Sequence, residues 1–190
     1  MIAKRNCDRG GGCRRLHERR SGRGFTLIEL MVALAICVVL MMVAAPSMIQ
    51  YRRNMELADA VSSFMLAANA AKSAALKTGR NAYLQANSGG WSSGWIVYTD
   101  RNGNGAYDSG TDELVMDRLP LSSEIVTSAA KTTTLGAGYL MFNGSGFPRD
   151  KAGSWASGTL SMATTDRASD IIVSKTGRLR SCRPNYDPDC

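Results

Sequence analysis

The stretch GFTLIELMVALAICVVLMMVAAP, residues Gly24–Pro46, is the longest apolar run of the chain and carries a single charge, Glu29. From Phe25 to Ala45 it covers 21 residues. As a helix it would be about 31 Å long, close to the thickness of the hydrocarbon core of a bilayer. Eight basic residues precede it and few follow it. The positive-inside rule therefore predicts a membrane anchor with its N-terminus in the cytoplasm and its C-terminus outside.

A cleaved secretory signal peptide is the alternative for this stretch, because Val43-Ala44-Ala45 supplies small residues for a signal peptidase. Such a cut would place Pro46 beside the scissile bond. The apolar run is also long for a signal peptide. We therefore favour the anchor over the cleaved signal.

Glu29 needs a partner, because a carboxylate inside hydrocarbon costs about 2.5 to 3.5 kcal/mol on insertion scales and less near the interface. A cut between Gly24 and Phe25 would give Phe25 a free α-ammonium, four residues before Glu29. That charge could pair with Glu29 of the same chain or, better, with Glu29 of a neighbouring copy. The carboxylate would then set the stagger between packed subunits.

Most of the net charge of +7 lies in residues 1–24, which hold eight Lys/Arg and two Asp/Glu. The remaining residues hold fifteen basic and fourteen acidic side chains, so the overall basicity says little about partners. The length allows one membrane segment and one modest domain with a core. We predict a leader over 1–24, a transmembrane helix over 25–45, its amphipathic continuation over 46–79 and a β-rich domain with a basic tail over 80–190.

Beyond Pro46 the sequence predicts an amphipathic helix followed by short strands. Alternating steps of four and three residues mark one buried helix face, formed by Leu57, Val61, Phe64, Ala68, Ala71 and Ala75. Gly79 is the expected helix stop. Short apolar runs then predict strands over Asn81–Ala86, Trp95–Thr99, Glu113–Met116, Ile125–Thr127, Tyr139–Phe142, Thr159–Met162, Ile171–Ser174 and Arg178–Ser181. The fold class is α+β, with a long helix packed on a mainly antiparallel sheet.

The segment Gly24-Phe25-Thr26-Leu27-Ile28-Glu29, between a basic leader and an apolar helix, resembles the signal of type IV pilins and type II secretion pseudopilins. The resemblance implies that a prepilin peptidase cuts after Gly24, that Phe25 is N-methylated and that Glu29 acts in assembly. It also implies a single-pass inner-membrane protein with a periplasmic domain, which an assembly platform passes into a pilus or pseudopilus of pilin subunits. The apolar helix would then lie in the filament core.

Three pieces of the predicted sheet resemble the GspH/FimT branch of this family, and with the N-terminal signal the resemblance covers most of the mature chain. They are Gly94–Asp100, Tyr139–Gly144 and Ile171–Arg178. The resemblance implies a pilin-like fold.

An enzyme is not expected. Gly90-Trp91-Ser92-Ser93-Gly94 matches the G-x-S-x-G pattern of a nucleophile elbow, but the only histidine, His17, lies in the leader. The mature chain would therefore have no imidazole base for a serine triad, and zinc hydrolase chemistry is disfavoured for the same reason. We interpret the match as a turn, and no cofactor is implied.

A weak calcium-loop pattern begins at Asp100, with oxygen-bearing side chains at alternate positions and a glycine at the sixth. The candidate ligands are Asp100, Asn102, Asn104 and Asp108. The twelfth position, where a bidentate glutamate is expected, is Thr111. Since Asn-Gly steps also form turns between strands, we favour a plain turn over a calcium site.

The tail holds the densest basic cluster of the mature chain, formed by Lys175, Arg178, Arg180 and Arg183. In an extended strand Arg178 and Arg180 would project to one face and Leu179 to the core. Paired guanidiniums suit phosphate oxygens. The Gly-Arg-x-Arg pattern also resembles the tail through which FimT minor pilins bind DNA in natural transformation, which implies non-specific double-stranded DNA as a partner.

The alternative for the same tail is a solvated edge strand protected by its charges, with Asp187 and Asp189 nearby to offset the field. Two or three phosphate contacts would also give a salt slope of only about −2 to −3 and weak binding. Useful retention of DNA would therefore need several tails on one filament or help from other subunits.

The cysteines fit an oxidising compartment. Cys7 and Cys13 would leave with the leader and Cys37 lies in the apolar helix, so Cys182 and Cys190 remain. In the periplasm these two are expected to pair, which would stabilise the fold by about 2.5 kcal/mol on a chain-entropy estimate.

Two functions stay open for a non-enzymatic filament subunit. One is a FimT-like minor pilin of a type IV pilus that helps assembly and binds DNA. The other is a GspH-like pseudopilin of a type II secretion system, which acts through protein contacts alone.

Overall fold

The computed structural model describes residues 24–130, 134–187 and 190, without the side chains of residues 43–46 and 130. The predicted leader with Cys7, Cys13 and His17, and Asp189 near the C-terminus, lie outside the described residues. Contacts divide the chain into two units, Met1–Ala44 and Ala45–Cys190.

One long helix, α1 (Leu27–Thr78), forms the N-terminal part of the described chain. It ends at Gly79, whose φ of 66° is left-handed and whose N–H donates to the Ala75 carbonyl at 2.8 Å. This is the glycine stop that the sequence predicts. Among the described residues, no single helix meets the length and hydropathy expected of a membrane span, and the segments Leu27–Met42 and Ser47–Thr78 meet them only as a pair.

In the described residues after α1, nine strands form two antiparallel sheets. They are β1 (Ala82–Ala86), β2 (Trp95–Thr99), β3 (Glu113–Arg118), β4 (Val126–Ala130), β5 (Tyr139–Phe142), β6 (Pro148–Arg149), β7 (Gly158–Ala163), β8 (Ala168–Val173) and β9 (Leu179–Cys182). The first sheet has the order β3-β2-β1-β5-β6 and the second the order β4-β7-β8-β9. The predicted α+β class is confirmed.

The sheet registers follow the hydrophobic pattern of the strands. In the first sheet Leu84 lies opposite both Val97 and Leu140, and all three side chains are buried. In the second sheet Leu160 lies opposite Ile171, again with both side chains buried. A shift of one residue would turn these side chains to the other face, so burial fixes the register.

Strand β6 is not among the strands predicted from the sequence. It has only two residues, and its first, Pro148, lacks a backbone N–H. A proline is tolerated at the start of an edge strand, and β6 is the edge strand beside β5. The last predicted strand is also corrected at its start, because β9 begins at Leu179 and Arg178 belongs to the preceding turn.

The core is formed where one face of α1 meets both sheets. The predicted face is confirmed, since all six of its members are buried: Leu57, Val61, Phe64, Ala68, Ala71 and Ala75. Phe64 is its largest side chain and makes edge-to-face contacts with Trp91 at 5.2 Å and Trp95 at 5.5 Å between ring centroids. Such aromatic pairs contribute about 0.5 to 1.5 kcal/mol each beyond the burial of their area. Phe64 therefore joins α1 to β2 and to the turn before it.

Two glycines are required by close backbone contacts. A Cβ on Gly94 would collide with the Arg118 carbonyl oxygen of the neighbouring strand β3. A Cβ on Gly144 would collide with the backbone of Gly79, where α1 has just ended. Only a residue without a side chain lets these segments approach so closely.

A second cluster of tyrosines lies on the other face of the first sheet. Tyr83 and Tyr98 are buried and stack with ring centroids 5.3 Å apart, and the Tyr98 hydroxyl donates to the side-chain Oε1 of Gln85 at 2.9 Å. Burial, with a smaller effect from Asp100, raises the pKa of Tyr83 from its ordinary 10.0 to about 12. Burial also raises the pKa of Tyr98, and Tyr83 and Asp100 add to the effect. Both hydroxyls therefore stay protonated well above neutral pH.

We expect Phe64→Ala to lower the free energy of unfolding by about 3 to 5 kcal/mol, because it removes a fully buried aromatic ring and leaves a cavity. Chemical unfolding of the full chain in non-ionic detergent, followed by near-UV circular dichroism, measures the change. Leu66→Ala is the matched control, since Leu66 is exposed on the same helix, and it should cost less than about 0.5 kcal/mol. Equal effects of the two substitutions would contradict the assignment of the core.

The stability of the folded chain should fall as the pH rises from about 10 towards 12. A tyrosine whose pKa is higher in the folded state loses its proton at lower pH in the unfolded state. Ionisation therefore lowers the free energy of the unfolded state relative to the folded state over this interval. Unfolding free energies measured across the interval should show a shallower slope for Tyr83→Phe/Tyr98→Phe. The double variant Tyr51→Phe/Tyr186→Phe changes exposed tyrosines instead, and it should keep the slope of the parent chain.

Candidate functional site

The predicted cleavage segment lies just before the helix. Gly24, Phe25 and Thr26 precede α1, and the Phe25 side chain is exposed. The backbone on both sides of the Gly24–Phe25 bond is thus outside the helical hydrogen-bond pattern. This geometry is compatible with cleavage, because a peptidase needs non-helical backbone at the bond that it cuts.

Thr26 caps α1, which the sequence analysis misses. Its hydroxyl accepts a hydrogen bond from the Glu29 N–H at 3.3 Å, and its carbonyl accepts one from the Leu30 N–H at 3.2 Å. Thr-x-x-Glu is the sequence signature of a capping box, so the amino-acid sequence itself indicates this cap. The cap uses the backbone N–H of Glu29, so it does not involve the carboxylate that is predicted to act in assembly.

Glu29 itself is exposed in the first turn of α1 and has no ion-pair partner within the described part of the chain. The surface around it is apolar on every side of the helix: the thirteen large apolar side chains from Phe25 to Met42 are 52 to 83% exposed. A helix that is apolar all round requires lipid or other protein as its surroundings. The described residues supply neither a cover for this surface nor a counter-charge for Glu29.

The basic cluster of the tail lies on the β8–β9 hairpin and in the segment after β9. The hairpin turn is closed by hydrogen bonds from Ser174 N–H to the Arg178 carbonyl at 3.0 Å and from Gly177 N–H to the Ser174 carbonyl at 2.9 Å. Gly177 has a φ of 75°, the left-handed conformation that a three-residue hairpin loop places at its last position. Lys175 and Arg178 flank this glycine and are both exposed.

The hairpin is attached to α1 by Lys72, whose Nζ donates to the Gly177 carbonyl at 3.1 Å. The sequence analysis misses this role, because the two residues are 105 positions apart. The half-buried ammonium of Lys72 helps to hold the loop in place with a charge-assisted hydrogen bond. The hairpin therefore has a fixed position on the domain.

The four predicted cations are not equivalent. Lys175, Arg178 and Arg183 are exposed, whereas Arg180 is half-buried in β9 opposite Ile172. Arg180 and Asp187 already have interaction partners. Leu179 packs against the core, as the predicted alternation requires. We therefore take Lys175, Arg178 and Arg183 as the accessible cations of this cluster.

The predicted disulfide is confirmed. Cys182 at the end of β9 is bonded to Cys190, with Cα atoms 5.7 Å apart. Between them the Tyr186 and Asp187 N–H groups both donate to the Arg183 carbonyl at 3.0 Å. The disulfide and this turn hold the C-terminal segment next to the basic cluster.

The Asp100 loop is closed by its own hydrogen bonds. The Asp100 carboxylate accepts from the N–H groups of Gly103 at 2.6 Å and Gly105 at 2.9 Å. The Asp108 carboxylate accepts from the side-chain amides of Asn102 at 2.8 Å and Asn104 at 2.5 Å. No group of three or more His, Cys, Asp or Glu residues within the described ranges is arranged to hold a metal. These bonds are compatible with the plain turn that the sequence favours, and the calcium site stays the weaker, untested alternative.

The G-x-S-x-G stretch forms a single 3-10 turn, Trp91–Ser93, that carries a core side chain. Trp91 is buried, and its indole N–H donates to the Leu135 carbonyl at 2.8 Å. The Ser92 carbonyl accepts from the Leu121 N–H at 2.9 Å. The residues of this stretch hold the turn to its neighbours, and a nucleophile elbow, which would follow a strand and open a helix, is not formed.

Two family models match the sequence. The model described as Type II transport protein GspH matches residues 60–177, and the model described as Prokaryotic N-terminal methylation motif matches residues 19–45. No curated protein matches the chain.

Solved structures of two related proteins superpose on the chain. Two crystal forms of the type IV minor pilin FimU of Pseudomonas aeruginosa give TM-scores of 0.55 and 0.51 at 17% and 16% identity, covering 73% and 68% of this chain and 96% and 95% of their own. The minor pseudopilin EpsH from the Type 2 Secretion System of Vibrio cholerae gives 0.48 at 14% identity, covering 69% of this chain and 99% of its own. At these identities the FimU likeness shows the fold.

The GspH model spans more than half of the chain, and the methylation motif covers the predicted cleavage segment. The fold agrees, since FimU also superposes over most of its own length. The chain therefore belongs to the family described as Type II transport protein GspH, and it is a minor pilin or pseudopilin, a structural subunit of the type IV pilus and type II secretion class.

Proposed function

We propose that the chain is a FimT-like minor pilin of a bacterial type IV pilus, which takes part in pilus assembly and binds DNA in natural transformation. The observation that carries this proposal is the exposed cationic hairpin of Lys175 and Arg178, held on the domain by Lys72. Neither side chain has an ion-pair partner among the described residues, so both are accessible to phosphate oxygens.

Assembly begins with cleavage of the Gly24–Phe25 bond by a prepilin peptidase and N-methylation of Phe25. The chain then crosses the inner membrane once, with its β-rich domain in the periplasm. Glu29 has no counter-charge within the described chain, and the α-ammonium of Phe25 on a neighbouring subunit supplies one in the filament. Packing of the exposed apolar side chains of Phe25–Met42 against other pilins replaces the lipid.

DNA binding rests on contacts with the phosphate backbone. The exposed cations Lys175, Arg178 and Arg183 can each contact a phosphate, and such contacts carry no base information. Three contacts give weak binding with a salt slope of only about −3. Several copies on one filament would raise the effective affinity without any new contact.

A GspH-like pseudopilin of a type II secretion system is the second candidate. The family model described as Type II transport protein GspH favours it. In that function the subunit assembles a pseudopilus through protein contacts, and its basic hairpin serves as a charged edge that prevents unwanted strand pairing. DNA binding separates the two candidates.

The mature chain should begin at Phe25 with a methylated amine, and Glu29→Ala should be processed but not assembled. The substitution removes the carboxylate that pairs with the neighbouring ammonium, yet leaves the cleavage segment intact. Mass spectrometry of the N-terminal peptide and the recovery of subunits in sheared filaments measure the two steps.

Glu124→Ala is a suitable control for the assembly test, because it removes a carboxylate that is paired with Arg53 on the globular unit. It should leave filament recovery unchanged. A mature chain that retains the leader, or normal assembly of Glu29→Ala, would contradict the proposed assembly route.

The full chain in non-ionic detergent should retard duplex DNA weakly at low salt, and Lys175→Ala/Arg178→Ala should remove most of the retardation. Loss of two phosphate contacts should reduce the slope of log affinity against log salt by about two. A mobility-shift series over salt concentration measures both quantities.

The matched control for the DNA test is Lys77→Ala/Arg101→Ala. Like the hairpin variant it removes two positive charges, but from side chains that lie near Glu113 and outside the hairpin. Its affinity and salt slope should stay near those of the parent chain. If the parent chain does not retard DNA at low salt, the FimT-like function is rejected in favour of the secretion pseudopilin.

A further inference from the structure

Two exposed aromatic side chains and an arginine form a small platform on the surface of the first sheet. Phe147 is 38% exposed and Trp155 is 51% exposed, and their rings meet edge-to-face with centroids 5.5 Å apart. The Arg149 guanidinium carbon lies 3.6 Å from the centroid of the Trp155 ring. We call these three residues the aromatic platform.

The fold holds the platform in place through β6 and the turn after it. Arg149 and Trp155 form an antiparallel bridge, and the Arg149 guanidinium donates to the Gly153 carbonyl at 3.2 Å. The Asp150 carboxylate accepts from the Ser154 N–H at 2.7 Å and so closes the turn. Because Arg149 is held by a carbonyl and by the indole face, its position is fixed before any ligand arrives.

The aromatic platform lies next to the cationic hairpin. A Cβ built on Gly177 would lie 3.3 Å from the Pro148 ring, and Pro148 is the residue between Phe147 and Arg149. The same position is 3.3 Å from the Lys72 ammonium nitrogen. The exposed Lys175 and Arg178 thus lie on a loop in direct contact with the segment that carries the platform.

Aromatic faces beside fixed cations are the arrangement that binds unpaired nucleic-acid bases. Bases stack on the rings while lysine and arginine contact the phosphates, and each stacked base contributes about 1 to 3 kcal/mol. In a duplex the faces of the bases are already stacked on one another, so the rings have nothing to contact there. A plain phosphate-binding surface would use the cations and leave the aromatic side chains without a function.

We propose that the aromatic platform and the adjacent hairpin bind single-stranded DNA, with unpaired bases stacked on Phe147 and Trp155. This inference rests on the DNA binding proposed above and specifies the form of the DNA. Charge favours a polyanion, since three cationic side chains, Arg149, Lys175 and Arg178, outnumber the Asp150 carboxylate, which accepts hydrogen bonds within its own turn.

Trp155 provides a direct spectroscopic test, because the other two tryptophans, Trp91 and Trp95, are buried. Titration of the full chain in non-ionic detergent with an oligothymidine of about 16 nucleotides, the upper end of common site sizes, should quench the tryptophan emission. Trp155→Phe should abolish the quenching but retain most of the affinity in a fluorescence-anisotropy assay, since phenylalanine still offers a stacking face.

Alanine variants measure the contribution of stacking. Phe147→Ala and Trp155→Ala should each weaken oligothymidine binding about 5- to 150-fold, the range that follows from the cost of losing one stacked base. Both should leave weak duplex binding unchanged. Leu119→Ala, which truncates another exposed apolar side chain, is the control and should change neither. Near-UV circular dichroism confirms that each variant is folded.

The outcomes separate this inference from the proposed function. Loss of oligothymidine binding in Trp155→Ala with duplex binding retained supports the inference. The inference is overturned, and the proposed function is retained, if duplex binding depends on Lys175 and Arg178 but oligothymidine binding is unchanged in Trp155→Ala. Failure to bind either form of DNA overturns both the inference and the proposed function. The same result is expected if the aromatic platform binds a protein surface instead of DNA.

Discussion

The burial of one face of α1 is the constraint on which the globular unit depends. Five of the buried positions of α1 are alanines, so both sheets can approach the helix backbone closely, and Phe64 packs its ring against Trp91 and Trp95. Small residues on a helix face allow the tight packing density of protein interiors. Since the hairpin of β8 and β9 is also held to this helix through Lys72, the placement of the candidate binding surface follows from the same packing.

Much of the fold could be predicted because its signals are local. The face from Leu57 to Ala75 follows helical spacing, Gly79 ends the helix, and most strands show short apolar runs between turn residues. Strand β6 could not be predicted in this way, because Pro148 and Arg149 are extended only through pairing with β5. Pairing of that kind depends on tertiary contacts rather than on the propensity of two residues.

The candidate site also has features that could be predicted from the sequence and features that could not. Its chemistry could be predicted, because residue types and spacings indicate the cleavage segment, the basic tail and the bond between Cys182 and Cys190. Its arrangement could not, because it depends on contacts between residues far apart in the chain. The attachment of Gly177 by Lys72 and the half-buried position of Arg180 are of this type. The cap at Thr26 is different, because its Thr-x-x-Glu signature is local and could have been predicted from the sequence.

The hydrogen bond between Lys72 and Gly177 has a mechanical consequence for a subunit in a filament. A pulling force on such a subunit passes along α1, and Lys72 lies on that helix near its end. Tension applied by a bound polymer at the hairpin would reach the helix through Lys72 and also through the side chains of β8 and β9 that pack in the core. The load is then shared between these contacts and does not fall on the edge strand β9 alone.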